Sequence, residues 1–204
     1  GRGGSFCAGM DLKAFVAGEH PEIEGRGFAG VTEAPPKKPL IAAVEGFALA
    51  GGCELALACD LIVAAETAWF GLPEVARGLV AGSGGLVRLP RRIPEAIALE
   101  YALTGERMDA VTAHRWGLVK EICAPEDLLA KAWDLARLLE SGPPLVYAAI
   151  KEVVREAENM RFQDALNRIT KRLMPTVDRL YSSEDQLEGA RAFAEKRDPV
   201  WKGR

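Results

Sequence analysis

The chain has 204 residues, 49% hydrophobic and 27% charged, with a formal net charge of −3; this is the composition of a globular domain, and its slightly acidic balance speaks against a nucleic-acid partner. No apolar run approaches the roughly 18 residues of a spanning helix, so no membrane partner is expected. The 4 cysteines lack CxxC spacing and the 2 histidines, His20 and His114, lie far apart, a pattern expected of reduced, buried thiols in a cytoplasmic protein without a metal centre.

Gly1-Arg2-Gly3-Gly4-Ser5-Phe6 reads as a loop, not as a signal peptide. Asp11 is placed to cap a short helix over residues 11–16. Residues 18–39 carry Gly, Pro and charge without periodicity and predict a mobile surface loop ending at Pro39. The continuous apolar run 40–44 predicts a strand covered on both faces. Residues 53–59 are apolar except for Glu54 and predict a short buried helix, and Leu61–Ala65 predicts the next strand. Strand, helix and strand over so short a span predict a right-handed parallel crossover.

Beyond residue 83 the pattern turns helical, with Ser83-Gly84-Gly85 opening a helix and Ser83 as its N-cap. Helices are predicted over 94–103, 109–116, 126–140, 144–158, 161–181 and 183–196, with one strand at 118–122. The fold class is therefore α/β, becoming mainly helical toward the C-terminus. Leu166, Ile169, Leu173 and Leu180 form one apolar stripe, which predicts packing on the core or on a neighbouring subunit.

Two glycine-centred turns carry the chemical signal. One is Cys7-Ala8-Gly9-Met10-Asp11 and the other is Ala50-Gly51-Gly52-Cys53. If both face one cavity, the amides of Met10 and Gly51 can hold a carbonyl oxygen between them, at the positive end of a helix dipole. Either turn alone is equally a place where the backbone needs positive φ. Glu54 lies in an apolar helix, where a carboxylate must be paired, solvated or shifted in pKa; a helix-dipole charge is the alternative. Glu74 follows the turn Gly71-Leu72-Pro73. Two carboxylates beside an oxyanion-type turn suit acid/base chemistry on a carbonyl compound, one taking a proton from water and the other delivering one to carbon. The glycines do not form a G-x-G-x-x-G, and no G-x-S-x-G elbow is present. Arg88, Arg91 and Arg92 form a local basic cluster suited to a phosphate.

Taken in order, Phe6-Cys7-Ala8-Gly9-Met10-Asp11-Leu12, Ile41-Ala42-Ala43-Val44-Glu45-Gly46, Ala50-Gly51-Gly52-Cys53-Glu54-Leu55, Phe70-Gly71-Leu72-Pro73-Glu74, Leu103-Thr104-Gly105 and Trp116-Gly117-Leu118-Val119 resemble the crotonase (enoyl-CoA hydratase/isomerase) superfamily. The resemblance implies a ββα spiral over residues 1–140, with the family's first strands lying upstream of Gly1, and a helical trimerisation region over 141–204. It implies an acyl-CoA thioester substrate, no cofactor beyond the coenzyme A that the substrate carries, and a homotrimer or dimer of trimers. Met10 and Gly51 match the oxyanion donors, and Glu54 and Glu74 match the catalytic glutamates of the hydratases. Ala8, Asp11, Leu12 and Lys13, with Phe193 and Lys196 near the C-terminus, match segments that reach coenzyme A.

Keeping both glutamates implies hydration or dehydration of an enoyl-CoA, with isomerases, hydrolases and non-catalytic binders as the other branches. Gly27-Phe28-Ala29-Gly30-Val31-Thr32-Glu33 and the tail from Ser183 to Arg204 are most similar to the carnitinyl-CoA dehydratase branch. Met10 stands where that branch has a tryptophan, Ala50 where it has a glycine and Glu45 where it has an asparagine.

Overall fold

The structure, a computed structural model, describes Gly1 and residues 3–204, which fall into two units: Gly1–Pro36 with Leu40–Ala136, and Lys37–Pro39 with Arg137–Arg204. In the first unit, helix α1 (Leu12–Val16) begins as expected at Asp11, whose Oδ1 accepts from the amides of Lys13 at 2.8 Å and Ala14 at 3.4 Å. Residues 18–39 are more ordered than their composition predicts. They contain an antiparallel hairpin of β1 (Glu22–Ile23) and β2 (Gly27–Phe28) and bury Phe28 and Thr32. A lone aromatic anchor leaves no periodic trace, which is why pattern alone predicts a surface loop.

The chain then alternates between two sheets. Strands β3 (Ile41–Val44) and β4 (Phe47–Leu49) lead into helix α2 (Gly51–Ala58). Strands β5 (Leu61–Ala65) and β6 (Trp69–Gly71) follow, then a 3₁₀ turn over Pro73–Arg77 and helices α3 (Gly85–Arg92) and α4 (Glu95–Thr104). Strand β7 (Met108–Asp109), helix α5 (Ala110–Arg115) and strand β8 (Glu121–Cys123) complete the run before helix α6 (Leu128–Glu140). One sheet has the order β3-β5-β8, all parallel. The other is β4-β6-β7, parallel and then antiparallel. Successive strand pairs thus give one strand to each sheet before a helix returns the chain, which is the ββα spiral expected.

The expected β3–α2–β5 crossover holds, with β4 interposed in the second sheet. Cys7 extends that sheet by a parallel bridge to Ala48, donating to Phe47 O at 2.9 Å and accepting from Leu49 N at 3.0 Å. The strand expected at 118–122 forms later. Leu118 and Val119 are buried in a tight turn in which both amides bond the Ala113 carbonyl, so their apolar character reflects packing and not pairing. The core centres on Val44, Leu57, Ile62, Ala64 and Phe70, each at most 2% exposed.

The second unit is helical: α7 (Pro144–Ala157), α8 (Phe162–Thr170), α9 (Pro175–Tyr181) and α10 (Asp185–Glu195). The single helix expected over 161–181 is broken. Arg172 takes a left-handed conformation with φ 55°, and Met174 is extended before Pro175, whose ring disfavours a helical residue ahead of it. The predicted stripe divides accordingly: Ile169 and Leu180 pack around Ala149, Met174 and Val177, while Leu173 and Leu166 remain exposed. Glu152 Oε2 caps α9 by accepting from Thr176 N at 2.8 Å and Thr176 Oγ1 at 2.5 Å. Among the described residues, no helix is long and apolar enough to cross a membrane.

Candidate active site

Helix α2 starts from an unusual backbone. Ala50 holds φ 52° and ψ −128°, a region costly for a residue with a side chain, and its amide donates to Gly71 O at 2.9 Å. That turn presents the N–H of Gly51 as the first residue of the helix, where no intrahelical acceptor exists. The Cys7–Met10 segment closes against it. Gly9, at φ +91°, lies so near that a Cβ there would stand 2.9 Å from Ala50 Cβ and 3.0 Å from Gly51 N. Gly52 allows the Cys7 carbonyl to pass directly over the helix start. Both close approaches require glycine, so the glycine signal in these turns is steric as well as conformational.

Glu54 follows one turn into α2 and is 3% exposed. Its Oε1 accepts the N–H of Gly85, at the start of α3, at 2.8 Å. Burial raises its pKa; the donors at Gly85 and Ser83 and the nearby Arg88 charge oppose that rise. Glu74 lies on the 3₁₀ turn over Pro73–Arg77. Its pKa is raised by burial, against the lowering effect of its own backbone amide, and raised further by the Glu54 charge; its buried Oε2 has no hydrogen-bond partner. Burial raises both carboxyls and backbone amides oppose the rise at both, but a cation favours the ionised form at Glu54 whereas the charge on Glu54 favours the neutral form at Glu74. The Cys53 thiol beside them is pushed up to about 12, chiefly by burial, which leaves it an inert thiol near neutral pH.

The two glutamates share one cavity of about 510 Å³ within the first unit, lined among others by Ala8, Met10, Leu12, Gly51, Glu54 and Glu74. Of the residues matched to coenzyme A, Ala8 and Leu12 thus reach the cavity. Asp11 and Lys13 do not line it, because Asp11 turns back to cap α1 and Lys13 lies on the exposed side of that helix. Phe193, 87% exposed, and Lys196 belong to the second unit.

Ser83 lies on the cavity wall beside Glu54 instead of capping α3, whose N-cap is Gly84 at φ 100°. The arginine cluster expected to suit a phosphate is engaged elsewhere: Arg88 donates to the carbonyls of Thr32 and Ser83, and Arg92 to that of Cys59. Phe28, which lies in the segment 27–33 matched to the carnitinyl-CoA dehydratase branch, also lines the cavity, as do Phe15, His20, Arg77 and Arg107, which carry no sequence motif. Among the described residues, no group of three or more His, Cys, Asp or Glu side chains is placed to hold a metal.

Comparison with known proteins identifies the family and the fold. The family profile described as enoyl-CoA hydratase/isomerase matches residues 1–204. A carnitinyl-CoA dehydratase from Salmonella enteritidis is 48% identical over 202 residues, spanning 98% of this chain and 77% of that protein. The crystal structure of an enoyl-CoA hydratase from Mycobacterium tuberculosis is 54% identical with a TM-score of 0.92, covering 100% of this chain and 79% of that one. A carnitinyl-CoA hydratase structure from Mycobacterium avium is 45% identical with a TM-score of 0.72 over the same shares of 100% and 79%.

Proposed function

The chain belongs to the enoyl-CoA hydratase/isomerase family, of crotonase fold, and from that premise we propose that it is a hydro-lyase adding water reversibly across the 2,3 double bond of an acyl-CoA thioester. One observation carries the reading: Glu54, held by the Gly85 amide, shares a cavity with Glu74, whose Oε2 is unpaired, and with the open helix start at Gly51. The amides of Met10 and Gly51 polarise the thioester carbonyl. Glu54, the carboxyl with the Gly85 and Ser83 donors and the Arg88 charge beside it, takes a proton from water as the water oxygen bonds to the β-carbon. The electron pair moves to the thioester oxygen, and Glu74 protonates the α-carbon of the enolate. Dehydration reverses these steps with the proton roles exchanged. Preorganised amides at the enolate oxygen supply the largest share of the rate, about 100- to 1000-fold per donor.

No cofactor is required beyond the coenzyme A of the substrate. A cytoplasmic homotrimer or dimer of trimers acting on fatty acyl thioesters completes the proposal, with Phe193 and Lys196 reaching coenzyme A.

Carnitinyl-CoA dehydration is the second reading, favoured by the 48% identical relative of that name and by a cavity wall that includes Phe15, Phe28 and Glu22. Aromatic faces and a carboxylate are the groups that attract a quaternary ammonium.

Incubation with crotonyl-CoA and crotonobetainyl-CoA in oxygen-18 water, followed by mass spectrometry, tests both. Label in a 3-hydroxyacyl product establishes hydration, and the preferred substrate selects the branch. A shifted double bond without label would replace hydration by isomerisation, and binding without turnover would make the chain an acyl-CoA-binding protein.

A further inference from the structure

Arg88 does not line the cavity, yet it ties together the two turns on which the cavity's chemistry depends. From this geometry we infer that Arg88 is a positioning residue that fixes the Gly51 oxyanion donor and the Glu54 carboxylate relative to each other, an inference that rests on the roles proposed for those two residues. Arg88 lies in the first turn of α3, with its amide bonded to Gly84 O at 2.9 Å. Its guanidinium forks. Nη1 donates to Ser83 O at 3.3 Å, and Nη2 donates to Thr32 O.

On one side of the fork is the turn over residues 27–33. It is knit by Gly30 N to Gly27 O at 3.0 Å and Glu33 N to Arg26 O at 3.1 Å. This turn carries Phe28, whose ring lies against Gly51 so closely that a Cβ there would stand 3.0–3.1 Å from three ring carbons. Holding Thr32 therefore holds Phe28, and Phe28 supports the first residue of α2. On the other side, the turn over 83–85 delivers the Gly85 N–H to Glu54 at 2.8 Å. Gly84 leaves the guanidinium its space, since a methyl there would fall directly upon it.

A planar fork can bond two carbonyls in diverging directions at once. The compact ammonium of lysine carries the same charge without that geometry. The groups facing Glu54 are the Arg88 cation, the Ser83 and Gly85 donors, the Glu74 carboxyl and the Cys53 thiol.

The test uses Arg88→Lys and Arg88→Met in the full chain. It measures crotonyl-CoA hydration against pH together with backbone hydrogen exchange by mass spectrometry. Arg88→Lys should lose about tenfold in kcat, with KM within about twofold and the acid limb of the pH profile unmoved. Arg88→Met should lose on the order of 100-fold, and its acid limb should move to higher pH as the cation that favours ionised Glu54 disappears. In both variants, exchange should quicken in the 27–33 and the 83–85 turns together while α9 stays unchanged.

Faster exchange in only one of the two turns, or full kcat in Arg88→Met with both turns still protected, would overturn the inference. Should Arg88→Met fail to fold, Arg88→Lys decides by the same exchange pattern. A parent enzyme that hydrates no enoyl-CoA would defeat the proposed function instead, and exchange of the two turns would still report whether Arg88 joins them.

Discussion

Gly85 donates its main-chain N–H to Glu54 Oε1 at 2.8 Å and has no room for a side chain: a Cβ there would lie 2.9 Å from Leu72 Cδ2 and 3.0 Å from Glu54 Cγ. The base and its donor are thus packed as one unit, although they arise from different helices. In Gly85→Ala the methyl pushes Glu54 away from the amide that orients it. We expect kcat to fall on the order of 100-fold while stability drops by about 1–3 kcal/mol. Steady-state kinetics alongside a denaturant titration checks both, and unchanged kcat would show that the Glu54–Gly85 bond does not matter to the chemistry.

Glu74 makes a different case, because its buried Oε2 satisfies nothing in the protein. An unpaired carboxyl oxygen is a poor structural element but, when protonated, a suitable proton donor to carbon. Glu74→Gln keeps the shape and removes the transferable proton. Turnover should fall by about 100- to 10,000-fold, with acyl-CoA affinity retained in isothermal titration. Loss of binding together with turnover would instead make the residue structural.

How far these relationships were legible in the sequence depends on their range. The Asp11 cap, the buried helix carrying Glu54 and the strand Leu61–Ala65 each follow from a few adjacent residues, and each forms where expected. The break at Arg172–Pro175 interrupts a stripe whose period continues across it, so periodicity alone joins what proline separates. The two glutamates stand out as carboxylates in apolar or turn settings. Their supports, Gly85 for Glu54 and Phe28 for Gly51, depend on contacts across 31 positions in one case and between a loop and a helix start in the other. No local pattern encodes such a meeting.

Burial raises the pKa of both Glu54 and Glu74 above the ordinary 4.5, and that has a consequence for stability. A carboxyl with a raised folded pKa holds its proton more tightly in the folded chain. Its contribution is therefore fully present below the unfolded value and is lost as pH rises through the folded one. The parent should lose stability relative to the double variant Glu54→Gln/Glu74→Gln as pH climbs from about 4.5 toward neutrality. Thermal melts should show the variant above the parent near pH 7.5, with the gap closing on acidification. A gap independent of pH would mean that neither carboxyl is perturbed by folding.

Ala50 holds φ 52° and ψ −128° at the turn into α2, a conformation that a side chain resists by about 1–3 kcal/mol. Ala50→Gly removes that strain but gives the unfolded chain about 0.4–1 kcal/mol of extra entropy. The balance predicts a stabilisation of up to about 2 kcal/mol, with kcat preserved because the Gly51 amide keeps its direction. A lower denaturation midpoint would show that the strain is absent.

The neighbouring glycines, Gly51 and Gly52, should separate function from folding. A methyl on Gly51 meets first the Phe28 ring, at 3.0–3.1 Å, and a side-chain ring can tilt. A methyl on Gly52 falls on the main-chain carbonyl of Cys7, which accepts from Leu49 N while the Cys7 amide donates to Phe47 O, so both groups are fixed in the second sheet. Gly51→Ala should therefore fold with little loss of stability. Its first-residue amide would be re-aimed, lowering kcat by about 10- to 100-fold with a smaller change in KM. Gly52→Ala should instead unpair the Cys7 segment and lose about 1–3 kcal/mol or more, with activity falling because the Met10 turn is displaced as well. Equilibrium denaturation of both variants beside their kinetics distinguishes the cases. Equal losses of stability would mean that Phe28 is as immovable as the Cys7 backbone, and that Gly51 serves packing before it serves the carbonyl oxygen.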